Sequence, residues 1–269
     1  MNNSAMMIRS LRTLYRYRYR LLEGVRQDVR QTFVGSAIGT AWVVILPLLQ
    51  LGIYAGLYSV IFKIRVSDLS TVGYIVLVFS GLVPLMAFSN AVTGATTSLS
   101  TNKNLLLNTV FPAELIPLRS ALSAHAPSLF GLLLTLIVGF ASGHTSWNAI
   151  IFVPVFWLLL LMFSVGLGWI FSLISLIARD IQHSLSLIIM LLFVLSPFAY
   201  TPDMVPAALK PIVYLNPLSY FVLSFQQLIC YGVLPDATVA IGAILLGFGG
   251  FFFGFIIFQK AKYVFFDYA

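Results

Sequence analysis

Ala149 to Ile177 reads AIIFVPVFWLLLLMFSVGLGWIFSLISLI and carries no charged side chain. About 20 apolar helical residues cross a hydrocarbon core, so this run is long enough to span a bilayer. Working outward from it, comparable apolar runs occupy Ile38 to Phe62, Val72 to Ala95, Ser120 to Ala141, Ser184 to Tyr200 and Val239 to Phe258. The chain therefore reads as an all-α membrane protein with six transmembrane helices in a single transmembrane domain spanning residues 1–269. Composition agrees: 60% of residues are hydrophobic and 9% charged, with a mean hydropathy of +0.99, whereas soluble domains carry about 25% charged residues. No water-soluble fold could hide that much apolar surface.

The formal charge of +7 points to a membrane surface rather than nucleic acid, because the bases flank apolar segments instead of forming a separable basic domain. With both termini in the cytoplasm, every Lys and Arg except Lys63, Arg65 and Lys210 falls on the inner side, the asymmetry that sets membrane orientation. Met1 to Gln31 is rich in arginine and lacks the continuous apolar region of a cleavable signal. As a helix over residues 8–36 it would place Ile8, Leu11, Tyr15, Leu22, Val25 and Val29 on one side and Arg12, Arg16, Arg20 and Arg30 largely elsewhere, an amphipathic interface pattern. A disordered basic tail is the alternative.

Thr201 to Asp236 interrupts the count. Ile212 to Tyr231 is apolar enough to resemble a seventh crossing, yet Asn216, Pro217, Gln226 and Gln227 would leave polar groups unmatched in lipid, and Pro202, Pro206, Pro211 and Pro235 punctuate its flanks. A seventh crossing would also move Lys260 and Lys262 outside. The expectation is two short helices forming a re-entrant outer hairpin between the fifth and sixth spans. On the inner side, residues 98–119 read SLSTNKNLLLNTVFPAELIPLR, polar and then amphipathic. That segment can lie against a soluble partner or form a plain solvated loop.

Enzymatic chemistry is not legible. His125, His144 and His183 have no close metal-ligand spacing and fall at separate places in the topology. The carboxylates sit near one surface or the other, none in mid-span, which weighs against proton or sodium coupling. Cys230 is the single cysteine, so neither an intramolecular disulfide nor a thiolate cluster can be built. No GxxxxGK[ST] phosphate loop occurs, so no cofactor is expected on this chain, and ATP with Mg would belong to a separate subunit. Gly52 with Gly56, and Gly250 with Gly254, have the GxxxG spacing that brings helices close, within the chain or at a dimer seam. Trp42, Tyr54 and Tyr58 on the first span, with Phe193, Phe198 and Tyr200 on the fifth, offer flat faces and hydroxyls that suit a sequence-tolerant sugar path.

In order along the chain, VRQDVRQTFVGSAIGTAWVVILPL (Val25 to Leu48), FSGLVPLMAFSNAV (Phe79 to Val92), ARDIQ (Ala178 to Gln182), SPFAYTPDMVP (Ser196 to Pro206) and YLNPLSYFV (Tyr214 to Val222) resemble the permease subunit of bacterial ABC exporters for polysaccharides, the O-antigen and capsule class. The resemblance implies a homodimer in the inner membrane, two ATPase subunits below it, and export of a lipid-linked glycan. It further implies that the first and fifth spans line the conduit. Asn102, Lys103, Phe111, Pro112 and Glu114 would couple to the ATPases, and Pro202, Asn216, Pro217 and Tyr220 would form the outer gate. Two alternatives remain open at this point: an ABC permease for a teichoic-type polymer, lipid or drug, and a membrane enzyme acting on lipid-linked sugars.

Overall fold

The computed structural model describes residues 3–32, 35–57, 69–102, 112–178 and 180–266. Among them the architecture is all helical. The α-helices are α1 (Asn3–Gln31), α2 (Trp42–Gly56), α3 (Thr71–Thr101), α4 (Leu115–Ala141), α5 (Asn148–Ile177), α6 (Ile181–Leu195), α7 (Lys210–Leu215), α8 (Pro217–Ile229) and α9 (Ala237–Phe266). Four of these, α3, α4, α5 and α9, are long and apolar enough to cross a membrane, and α2 and α6 are shorter apolar helices.

Helix α3 is the hub. It packs on α4, α5, α6 and α8, while α5 lies along α9, and Leu77, Phe79, Leu82, Phe88, Val92 and Leu99 are fully enclosed. Its buried hydroxyls need no outside partner, because Ser80, Thr96 and Ser98 each donate to a carbonyl three or four residues back, at 2.7, 2.7 and 2.6 Å. Helices cannot be driven together in lipid by apolar burial, so close backbone approach must contribute. Gly166 of α5 faces Gly250 and Gly254 of α9 so tightly that a Cβ at Gly166 or Gly254 would strike the opposite backbone. The Gly250–Gly254 pair is therefore used within the chain. At Gly52 and Gly56 no atom from another part of the described chain lies within 4 Å of where a Cβ would stand, so packing among the described residues does not explain that pair.

The helix ends gather into two layers. At one, Arg119 at the start of α4 clasps Asp28 of α1, its Nε donating to Oδ2 at 2.8 Å and its Nη2 to Oδ1 at 2.5 Å. Lys262 of α9 also reaches Glu114 there, at 3.3 Å. At the opposite layer, Tyr74 at the start of α3 donates to the Ala199 carbonyl (2.7 Å), and Thr145 after α4 donates to the carbonyl of Ile229 at the end of α8 (2.6 Å). The layer holding Arg16, Arg20, Arg26, Arg30, Arg119, Lys260 and Lys262 is the basic one.

Several predicted boundaries move. Helix α3 runs on to Thr101, since the hydroxyl-rich 96–101 stretch satisfies itself along the helix instead of forming a loop. Helix α4 begins at Leu115, because Pro117 falls in its first turn, where a missing N–H costs nothing. The coupling segment read over 98–119 is thus helical at both ends. The segment read as a helix over 8–36 is helical from Asn3 to Gln31, as α1, and the chain bends through Gly35 and Gly39, whose φ values of 82° and 60° favour glycine. Helix α9 continues to Phe266, past the expected end at residue 258.

Candidate functional site

The sequence places its aromatic path on α2 and α6. Trp42 at the start of α2 donates from Nε1 to the Ser36 hydroxyl (3.0 Å) and lines a cavity of about 120 Å³ with Pro47, Gln50, Asn90 and Pro127. On α6, Phe193 packs against Phe198 with ring centroids 5.1 Å apart, and it lines a groove of about 390 Å³ with Ser89, Thr93, Ser186 and Met190. Phe198 is largely committed to packing, since its backbone and Cβ press on Gly81. Tyr200 turns its hydroxyl back to the Leu195 carbonyl (2.8 Å). The side chain of Tyr54, and Tyr58 altogether, lie outside the described residues.

Trp42 and Phe193 thus flank one edge of α3 from either side. That edge carries Ser89, Asn90, Thr93 and Thr97 on a helix whose residues between Gly73 and Leu99 are otherwise mostly buried. Toward the basic layer it opens into a polar cavity of about 270 Å³ walled by Thr97, Thr101, Asn102, Ser120 and the Asp28–Arg119 pair. Aromatic reasoning missed this hydroxyl-bearing edge. Its signal was in the sequence, as polar residues spaced at helical intervals inside an apolar run. Beside it, α2 and α6 leave bare apolar surface, including Leu46, Leu49 and Ile53 on one and Leu187, Met190, Leu191 and Val194 on the other.

Of the residues expected to couple to ATPases, Lys103 and Phe111 lie outside the described residues. Asn102 caps α3, its backbone N–H and Nδ2 both donating to the Ser98 carbonyl at 3.1 and 2.8 Å. Pro112 is half-buried. Glu114 points into the protein, 8% exposed, with Lys262 on its carboxylate and the Trp169 indole donating to its carbonyl at 2.9 Å. Trp169 in turn packs at tilted and edge-on angles among Phe251, Phe255 and Phe258 of α9. Glu114 therefore fastens the entry of α4 to α5 and α9.

Of the residues expected at the gate, Asn216, Pro217 and Tyr220 lie at the start of α8 and Pro202 lies in the turn that precedes α7. Pro202 opens a short 3-10 turn at residues 202–204, and Pro217 starts α8 at a position where its missing donor is harmless. Between α7 and α8, the buried Asn216 is fully used: its Nδ2 donates to the Leu192 carbonyl (2.8 Å) and the Ser196 hydroxyl (2.9 Å), and its Oδ1 accepts from the Leu218 N–H (3.0 Å). Tyr220 donates to the Tyr214 carbonyl (2.9 Å) and lays its ring over Gly242. Gln226 donates to the Pro197 carbonyl (2.8 Å). The polar side chains that argued against a seventh crossing are satisfied within the protein, Asn216 and Gln226 mainly by backbone carbonyls and Gln227 by Asp236, and these bonds tie the 196–236 segment to α6 and to itself.

Comparison with known proteins identifies relatives over most of the chain. The chain is 29% identical over 248 residues to an O-antigen export system permease protein of Myxococcus xanthus, covering 89% of this chain and 93% of that one. It is 28% identical over 240 residues to a protein of the same description from Klebsiella pneumoniae, covering 89% and 90%. A polysialic acid transport protein of Escherichia coli is 22% identical over 213 residues, covering 79% and 81%. The ABC-2 type transporter family profile matches residues 21–230, and the chain belongs to that family.

Proposed function

We propose that this chain is the transmembrane subunit of an ATP-driven exporter that moves a lipid-linked, O-antigen-like polysaccharide across the bacterial inner membrane. The observation that carries the reading is the likeness to O-antigen export permeases over nearly the whole chain. The hydroxyl-bearing edge of α3, with Trp42 and Phe193 on either side, supports it chemically. Sugar hydroxyls can exchange among such groups while aromatic faces cover the C–H faces, and neither interaction binds tightly enough to stop a moving chain.

In this reading α2 and α6 complete the set of six crossings, α1 lies at the inner surface, and the 201–236 segment folds back into the outer leaflet. The apolar faces of α2 and α6 meet a second copy, so that two α3 edges enclose the path. Two nucleotide-binding subunits, carrying ATP and Mg, sit against the basic layer, reached through α1 and the stretch from Asn102 to Pro112. Their closure on ATP presses on the entry of α4. The Glu114–Lys262 and Trp169 contacts pass that displacement to α5 and α9 as a rigid-body tilt. The capsule-type relative favours a second reading in which the cargo is a capsular polymer.

Deletion of the chain is expected to abolish glycan on the cell surface while lipid-linked glycan accumulates inside. A co-expressed ATPase should co-purify with it and depend on it for turnover. Normal surface glycan after deletion, or the absence of any associated nucleotide hydrolase, would remove the proposal.

A further inference from the structure

A cavity of about 750 Å³ opens at the layer opposite the basic one, bounded by the 202–204 turn, α7, α8 and the segment leading into α9. Sites for small molecules usually run to about 300–1,000 Å³, with apolar walls and a few fixed polar groups. Here the walls are Tyr214 and Tyr231, both 43% exposed. The polar groups are Gln226, Gln227, Asp203 and Asp236. Gln227 and Asp236 brace one another, Gln227 Nε2 donating to Oδ2 at 2.7 Å and the Asp236 N–H donating to Gln227 Oε1 at 3.1 Å. An ionised carboxylate has about four acceptor positions, so this one can take further donors in an orientation already fixed, which lowers the ordering cost of binding.

We propose that this cavity is a sugar-binding site, distinct from the path along α3, that holds a neutral hexose or hexosamine unit of the emerging chain. The inference rests on the export function and sidedness given above. Tyrosine rings match the apolar face of a pyranose, and braced carboxylate and amide groups match its hydroxyl edge. The charge selects among ligands. Two carboxylates line the cavity, and Lys210 stands 3.9 Å from the outward-facing Asp203. Phosphate headgroups and acidic sugars are therefore disfavoured. Retention at this point would hinder backsliding between strokes of the ATPases.

The test uses the full chain with its ATPase partner in cells that make the glycan. A photo-crosslinking phenylalanine analogue is placed at Met204 or Tyr231 in the cavity, at Phe193 on the path, and at Trp147, exposed in the same layer but outside the cavity. Glycan adducts are expected at 204, 231 and 193 and not at 147. Tyr214→Ala combined with Asp236→Asn should lower the adduct at 204 about tenfold, or ~1.4 kcal/mol. Adducts at 193 with none at 204 or 231, or equal adducts at 147, overturn the cavity site and leave export standing. An absence of adducts everywhere, with surface glycan unchanged on deletion, overturns export itself. As a check that does not depend on those variants folding, a cysteine at Tyr231 in a Cys230→Ala background is labelled with maleimide in nanodiscs holding the full complex. Neutral oligosaccharide released from the same cells by mild acid should slow the labelling. Protection by glycerophosphoglycerol instead would overturn the assignment.

Discussion

Asn216 shows how one side chain can be read correctly and for an incomplete reason. Its sequence position beside Pro217 argues that Ile212 to Tyr231 cannot be a plain crossing. The structure adds that its amide is consumed by Leu192, Ser196 and Leu218. Asn216→Ala is expected to destabilise the protein by about 1–3 kcal/mol, because buried carbonyl and N–H groups lose their partner, and a lowered midpoint of thermal unfolding in detergent would show it. Glu114 was legible as a carboxylate near the inner surface, while its partner Lys262 lies 148 residues away and no local pattern joins them. In a double-mutant cycle of Glu114→Gln and Lys262→Met, the two changes should couple by about 0.5–3 kcal/mol. Each single variant should also lower export more than it lowers ATP turnover. Additive effects on both readouts would show that the pair does not couple the entry of α4 to α9.

Helices carry the next distinction. Hydrophobic run length located the starts of α3, α5 and α9 and the ends of α4 and α5 to within two residues, since lipid demands that each crossing satisfy its own backbone, and it stopped short of the end of α9. It misplaced the inner ends of α3 and α4, where hydroxyl groups and an early proline are compatible with a helix that composition reads as a loop. The two glycine pairs look alike in sequence and differ in use. Gly254→Leu should separate α9 from α5 and prevent accumulation of folded chain, because its Cβ position meets the backbone at Gly166. Gly52→Leu should leave folding intact, its Cβ position being open, and should weaken cross-linking between copies if α2 forms the seam. Fluorescence-detected size exclusion of tagged variants reports the first outcome, and disulfide trapping along α2 the second.

For the whole molecule, the decisive prediction is sidedness. In a Cys230→Ala background, a cysteine at Val233 should react with an impermeant maleimide in intact cells, and one at Lys262 only after permeabilisation. Labelling at 262 from outside would invert the roles of the two layers, turning the 750 Å³ cavity toward the cytoplasm and the Asp28–Arg119 layer outward. Conversely, the expected pattern would set the bases on the side where anionic lipid and nucleotide-binding partners attract them.

The amino-acid sequence by itself determined that the chain is helical and membrane-bound, where its four long apolar helices lie, and that Thr201 to Asp236 breaks the pattern. Each of these follows from local apolarity and backbone hydrogen bonding. Only the tertiary structure decided which face of each helix is spoken for. It buried most of the middle of α3 while leaving Ser89, Asn90, Thr93 and Thr97 along one accessible edge, turned Glu114 inward to Lys262, and gathered Tyr214, Gln227, Tyr231 and Asp236 around one cavity. Contacts between residues far apart in the chain depend on how helices pack, and packing in lipid is set by shape and by matching polar groups, for which hydropathy carries no signal.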